Sequence, residues 1–376
     1  MVATILQLVV LLLLPAAAMA LEQRSRWLRI IPTVLVCYGA GILLGNMPGV
    51  RIDTALSLAV CSGAVALAIP LLLFSVDIVA WFRMARPTVV SFGLCIVSVL
   101  VVSIVASFAF RGAVEDAHKV AAMLVGVYTG GTPNMAAIGA ALGVPGTTFV
   151  KLNSADIVTA AVYLPFLFAV APRLYGRFLR PYPPGKPSKK IEATEPARAS
   201  LGSIVLGLLL DLVVVGGAVG ASRFLPPDYR DPVSVLAITT AAIALSLHPR
   251  VRGLPGTHAT GQYILLVFCT AVGTTAQFDE LVSSSLVILA YTATVMFGSA
   301  LLHVALAALC RIDRDTVIIT STAAIFGPAF IGPVAVSLKN RELVVSGIST
   351  SLVGLAVGNY AGLFVAWLLS REGVPW

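Results

Sequence analysis

Apolar runs without a single charged residue recur along the whole chain, at 30–50, 55–76, 87–110, 120–150, 232–249, 259–278 and 343–370. A helix crossing the ~30 Å hydrocarbon layer needs about 20 such residues. Twelve apolar segments can be drawn, at roughly 3–20, 29–46, 54–80, 88–110, 119–143, 153–178, 201–221, 233–247, 259–278, 283–308, 316–338 and 344–370. The longest polar stretch, 180–199, is rich in Pro and charge and reads as a linker. It leaves six segments on either side. A shift of 196 positions lays Gly130–Leu142 on Phe326–Leu338, the fourth segment on the tenth and the sixth on the twelfth. An internal repeat of this kind is typical of transporter folds.

Composition supports the membrane reading. Of 376 residues, 58% are hydrophobic and 11% charged, with a mean hydropathy of +0.97, whereas soluble domains carry about 25% charged residues. The net charge of +8 lies in short Lys/Arg clusters between apolar segments, as cytoplasmic loops require, so it does not point to nucleic acid. The five cysteines, Cys37, Cys61, Cys95, Cys269 and Cys310, have no metal-ligand spacing. Met1–Leu21 ends in a signal-like AAAMA but has no basic start. It is expected to be a retained helix.

Loop charge sets the topology. Arg24, Arg26 and Arg29 place the first loop in the cytoplasm and the N-terminus outside, and Arg83 and Arg86 do the same for the third loop. If the fifth segment crossed, Arg173, Arg177, Arg180, Lys186, Lys189 and Lys190 would face outward, against the positive-inside rule. If it enters and returns on the external side, they stay inside. The eleventh segment is flanked by Arg311 and Arg314 and by Lys339 and Arg341, so it too is expected to return to the side it came from. The expected fold is therefore all-α, with two inverted repeats of five transmembrane helices, each carrying one re-entrant helical hairpin. The first repeat covers 1–179, the cytoplasmic linker 180–199 and the second repeat 200–376, with both termini external.

The expected tips, Gly130-Gly131-Thr132-Pro133-Asn134 and Gly327-Pro328-Ala329, hold residues that break helices. A break inside a bilayer is tolerated only where protein or water covers it. Helix ends at a tip offer N–H groups to an anion and carbonyls to a cation, which suits a carboxylate substrate with a coupling Na⁺ near Asn134 and Asp156. Asp156, with Asn153 and Ser154 beside it, reads as a cation ligand or a proton carrier, against the plainer reading of a helix cap. Gln277, after Thr274 and Thr275, is a further oxygen source. Asp211 is expected to line a dimer face or support a site, Asp77 to pair with Arg83, and His303 to be a packed core residue. Tyr175, Trp27, Trp81, Trp367 and Trp376 suit interfacial belts, and Gly41 with Gly45 forms a GxxxG that suits a helix dimer.

At these residues the chain resembles the bacterial membrane proteins of domain-of-unknown-function family 819, whose pattern has GGS-x-N and then A-D-N at the next helix. Gly130, Gly131, Thr132 and Asn134 match the first, and Ala155-Asp156 the second, with Ile157 in place of Asn. The family's later GGP, basic residue and Gly-rich helix correspond to Phe326-Gly327-Pro328, Lys339, and Gly347, Gly354 and Gly358, with Phe326 departing from Gly. This resemblance covers most of the chain and implies the fold and a bacterial inner membrane, but no substrate. A fainter likeness to sodium-coupled glutamate and 2-hydroxycarboxylate symporters implies Na⁺ coupling, a homodimer and elevator-like movement. The expected function is secondary transport of a small organic anion or amino acid driven by Na⁺ or H⁺. The alternatives are a cation/proton antiporter and a non-transporting scaffold or sensor. No Ser/His, paired-Asp or metal constellation within the apolar segments points to an enzyme.

Overall fold

A computed structural model describes residues 2–24, 33–48, 52–82, 86–183, 200–275 and 285–371; Gln277 lies outside them. The described residues are helical almost throughout. Seven helices are long and apolar enough to cross a membrane: Thr4–Glu22, Thr54–Leu73, Arg86–Phe110, Gly146–Ala169, Leu201–Ser222, Leu286–Leu309 and Leu343–Ser370. The chain is thus an all-α, multi-pass membrane protein. The other three expected crossings also form helices, but Thr33–Asn46 and Thr257–Gly273 are shorter, and Pro227–Ser246 opens on a charged turn.

Helices overlap, with bounds offset by up to about seven residues, at the spacing that separates Gly131 from Gly327. It carries Thr33–Asn46 onto Pro227–Ser246, Thr54–Leu73 onto Thr257–Gly273, Arg86–Phe110 onto Ser285–Leu309, and Gly146–Ala169 onto Leu343–Arg371. Turn chemistry follows the same spacing. Gly143 (φ +62°) and its counterpart Lys339 (φ +57°) are both left-handed. Each ends a helix with a bond from the next amide back across the turn, Val144 N to Gly139 O and Asn340 N to Ala335 O, both 2.9 Å. Counterpart helices also pack on one another, Thr54–Leu73 on Thr257–Gly273 and Arg86–Phe110 on Ser285–Leu309.

Two segments fold back as helical hairpins. In the first, Ala117–Gly130 reverses at Gly131 into Thr132–Ala141, and the limbs meet where Gly126 faces Ile138 and Gly139 faces Met123. In the second, Arg314–Phe326 reverses at Gly327 into a 3-10 turn, Pro328–Phe330, and then Ile331–Ser337. At 1.5 Å per residue the 14-residue and 10-residue limbs of the first reach about 21 and 15 Å, short of a ~30 Å core. The ends of the second hairpin are tied together, as Asn340 Nδ2 donates to Asp315 Oδ2 at 3.2 Å. The hairpins begin at opposite ends of the Ser285–Leu309 helix. Near its start, the Tyr291 hydroxyl donates to Ala117 O at 3.0 Å, whereas Arg314 follows just after its last turn.

Several partners differ from those expected. Gly41 and Gly45 do not await a second chain: a Cβ at either would lie 2.3 Å from Thr270 O or 2.5 Å from Thr274 O, so the motif seats the Thr257–Gly273 helix within the chain. Trp81 is buried, with Nε1 donating to Thr350 Oγ1 at 3.0 Å, and Tyr175 is buried against Phe166. Neither belongs to a lipid-facing belt. Asp77 pairs with Arg252 at 3.1 Å, which brings residues 74–77 and 249–256 to one face; Arg83, its expected partner, lies outside the described residues. At the other end of the linker-proximal region, Arg314 N donates to Arg180 O and Tyr182 OH to Glu342 Oε2. Partial burial and that carboxylate raise the Tyr182 phenol above its ordinary value.

Candidate functional site at the hairpin tips

Both tips open onto one cavity of about 470 Å³. Gly130, Gly131, Thr132 and Pro133 line it from the first hairpin, and Ile325, Phe326, Gly327 and Pro328 from the second. Its remaining polar groups include Glu22, Thr33, His258, Gln262, Tyr263 and Ser351. Gln262 Nε2 donates to His258 Nε2 at 3.1 Å, and Thr33 Oγ1 donates to Glu22. The side chain of Ala329 lies outside those described.

The chain reverses at each tip on a glycine that must adopt φ +88° (Gly131) or +73° (Gly327). The first tip is poorer in donors than its helix N-terminus suggests. Pro133 has no N–H, and the amides of Asn134 and Met135 both turn back to Gly131 O. Thr132 N–H is the donor left to a guest there. At the second tip the aromatic rings dominate, with Phe326 packed against both Tyr163 and Phe330.

Asn134 does not face this cavity. It is buried, and its Nδ2 donates to Leu355 O at 3.0 Å and Gly354 O at 3.4 Å. The Leu343–Arg371 helix admits the hairpin through a glycine stripe. A Cβ at Gly354 would lie 2.2 Å from Thr129 O, at Gly358 1.9 Å from Asn134 Nδ2, and at Gly362 2.3 Å from Ile138 Cδ1. Gly347, further along, accommodates Ile319 and Ile331 of the second hairpin. The glycines singled out in the sequence thus hold both hairpins against one helix.

A second polar cluster lies behind the first tip. Asn153 and Asp156, one turn apart on the Gly146–Ala169 helix, are buried, as are Tyr128, Thr129 and Thr159. Tyr128 lies alongside the Asp156 carboxylate and Thr159, outside hydrogen-bond geometry. Asp156 Oδ1, both polar atoms of the Asn153 side chain, Tyr128 OH and Thr129 Oγ1 have no hydrogen-bond partner. An unsatisfied buried polar group costs about 1–3 kcal/mol, so Asp156, with Asn153 on its own helix face and Tyr128 alongside, forms a group suited to a small hard cation or to proton exchange. Ser154 points away, exposed on the outer face of the helix beside Lys151. Asp211 is likewise buried inside the chain with neither oxygen partnered, so it does not lie on an outer dimer face. Among the described residues no group of three or more His, Cys, Asp or Glu gathers as a metal site.

Sequence reading alone did not find the network around His303. Its Nε2 lies 3.2 Å from Ser91 Oγ and its Nδ1 3.1 Å from Ser321 Oγ, while Ser91 Oγ lies 2.7 Å from Thr320 Oγ1. Thr320 donates to backbone carbonyls of its own helix, so Ser91 donates to Thr320 and accepts from Nε2–H, leaving Nδ1 to accept from Ser321. A Ser/His pair therefore does exist, contrary to the expectation from sequence, but the histidine donates to the serine and does not activate it. The network joins three helices. His303→Ala is expected to lower stability by roughly 2–4 kcal/mol, as it unpairs the buried Ser321 hydroxyl, takes one of two partners from Ser91 and leaves a cavity, and His303→Gln, which donates and accepts, by less. Thermal melting of the purified variants measures both.

A family model described as "Protein of unknown function (DUF819)" matches residues 9–372. Among curated proteins, the "Uncharacterized membrane protein YjcL" of Bacillus subtilis (strain 168) is 24% identical over 375 residues, covering 94% of each chain. The match takes in both hairpins, the glycine stripe and the Asp156 cluster, and the chain belongs to the DUF819 family of membrane proteins.

Proposed function

We propose that this protein is a secondary active transporter of the bacterial inner membrane, moving a small organic anion or amino acid by symport with Na⁺ or H⁺. Its substrate occupies the cavity between the tips, and its coupling cation the cluster of Asp156, Asn153, Tyr128, Thr129 and Thr159. The carrying observation is the convergence of two chain reversals, at equivalent places in the two halves, on a single cavity. A bilayer tolerates such breaks only where they line a protein-covered or watery path.

The same geometry supports hairpins that are re-entrant and enter from opposite sides, because their starts flank opposite ends of one spanning helix. Glu22, Leu72 and His258, which line the cavity, adjoin the loops carrying Arg24, Asp77 and Arg252. By the positive-inside rule the cavity then opens toward the cytoplasm. Among the described residues no Lys or Arg lines it, which favours an amino acid over a multiply charged anion. A cation/proton antiporter is the second reading, favoured by the unpartnered Asp156 carboxylate.

Cysteine labelling in intact cells tests the arrangement. Cysteines replacing Lys119 and Lys151 are expected to react with an impermeant reagent from the same, external side, and one replacing Lys339 only after permeabilisation. Labelling of the Lys119 and Lys151 positions from opposite sides would remove the first re-entrant hairpin and the transport reading with it. A Na⁺-dependent or H⁺-dependent uptake screen of amino acids and carboxylates in proteoliposomes then separates symport from antiport.

A further inference from the structure

A groove of about 400 Å³ runs between the Tyr163–Phe178 stretch and the Ser285–Leu309 helix. Its walls are aromatic and aliphatic, with Phe166, Phe178, Phe297 and Leu301 among them, and Phe178 and Leu301 are largely exposed, so it opens sideways from the helix bundle. In a membrane such an opening faces acyl chains. One end of the groove differs in character. Arg173 adjoins Leu174, Arg177 lies between Tyr175 and Phe178, and Arg311 falls one turn beyond Ala308, all of these neighbours being groove-lining residues. All three arginines are exposed, and none is in an ion pair among the described residues.

We propose that this groove is a binding site for an anionic diacyl phospholipid, its chains lying against the aromatic walls and its phosphate held by Arg173, Arg177 and Arg311. The two halves of the groove choose this occupant jointly. The apolar walls have nothing to offer a free phosphate, and three unpaired guanidinium groups, which bind phosphate oxygens in a forked geometry, favour a headgroup of net negative charge over a zwitterionic one. The site is separate from the tip cavity and shares no lining residue with it.

Native mass spectrometry of the detergent-purified full chain, titrated with dioleoyl phosphatidylglycerol, dioleoyl phosphatidylcholine or inorganic phosphate, tests the site. The wild type is expected to bind phosphatidylglycerol about tenfold or more tightly than phosphatidylcholine, as near-surface arginines attract anionic lipid, and to bind phosphate negligibly. The combined Arg173→Gln, Arg177→Gln, Arg311→Gln variant is expected to lose that preference while still binding both lipids weakly. Ala305→Phe, which fills the groove, should weaken both lipids together. If the triple variant fails to fold, Arg311→Gln alone supplies the test, with a two- to threefold fall in preference for the anionic lipid. Equal affinity of the wild type for the two lipids, a preference unaltered by arginine replacement, or binding of phosphate alone at lipid-like affinity would each overturn the proposal.

Discussion

Gly358→Ala is expected to abolish uptake and to destabilise the protein by about 3 kcal/mol, near the upper end for overpacking a tight core. The added methyl would stand 1.9 Å from Asn134 Nδ2 and 2.9 Å from Asn134 Cγ, a buried neighbour held by two backbone carbonyls. Asn134 is buried and its amide is tied to this same helix, so the first hairpin is expected to lift off the Leu343–Arg371 helix. Removing the obstructing amide reverses the effect. Asn134→Ala alone gives up those two hydrogen bonds and is expected to cost about 1 kcal/mol. The double variant, in which the new methyl meets only the Cβ of residue 134 at 3.3 Å, is expected to be nearly as stable as Asn134→Ala alone. A double-mutant cycle of melting temperatures measures this coupling. Simple addition of the two losses would show that Gly358 acts through something other than this contact.

The glycine stripe also explains why the two halves, similar in helix bounds, do not pack alike. At the repeat spacing, Gly347, Gly354, Gly358 and Gly362 correspond to Lys151, Val158, Val162 and Phe166 of the Gly146–Ala169 helix. Branched and bulky side chains hold a neighbouring helix at a distance, whereas glycines admit backbone. The first hairpin therefore nests on the last helix, while its counterpart helix keeps Val158 and Val162 exposed. Both hairpins thus pack against one helix, which gives that helix a share in both tips.

Much of this architecture was legible in the chain because its causes are local. A helix break needs Gly or Pro whatever surrounds it, so Gly130-Gly131-Thr132-Pro133 and Gly327-Pro328 marked the two chain reversals directly. Hydrophobic runs marked the helices for the same reason. Partners were less legible, because an apolar helix has little periodic contrast to show which face meets what. Gly41 and Gly45 announced a close helix contact but not that its partner was the Thr257–Gly273 helix. Asp77 announced an ion pair, and an arginine 175 positions away supplies one. Asn134 looked like a ligand because it is polar at a tip, whereas its amide is committed to the last helix. Ser91, His303 and Ser321 stand on three different helices, and no spacing along the chain relates them. Conversely, Asn153 and Asp156 share one helix face by their three-residue separation, and that much the sequence did carry.

Asp156→Asn is expected to reduce coupled uptake by more than a hundredfold while leaving the fold intact. The carboxylate is buried, with Oδ1 unpartnered, beside Asn153 and Tyr128, whose polar groups are also unsatisfied. A structural carboxylate in such a place would be expected to hold a hydrogen-bond donor or a positive charge, whereas the Tyr128 hydroxyl beside it stands outside hydrogen-bond geometry and no ion pair to Asp156 forms among the described residues. The sign of the stability change therefore separates a binding role from a scaffolding one. Without coupling ion, the amide variant should melt at the same temperature as the wild type or higher, because an uncompensated charge has been taken out of the interior. With ion present the order should reverse. The wild type gains stability as RT ln(1 + [L]/Kd), about 2.7 kcal/mol at a hundredfold excess over Kd, and the variant gains none. Melting curves in Na⁺ against a large organic cation, repeated across a pH series, distinguish the two candidate ions. A variant that keeps the wild-type Na⁺ response would move the cation site away from Asp156, and one that melts several degrees lower in every buffer would make the carboxylate a structural group.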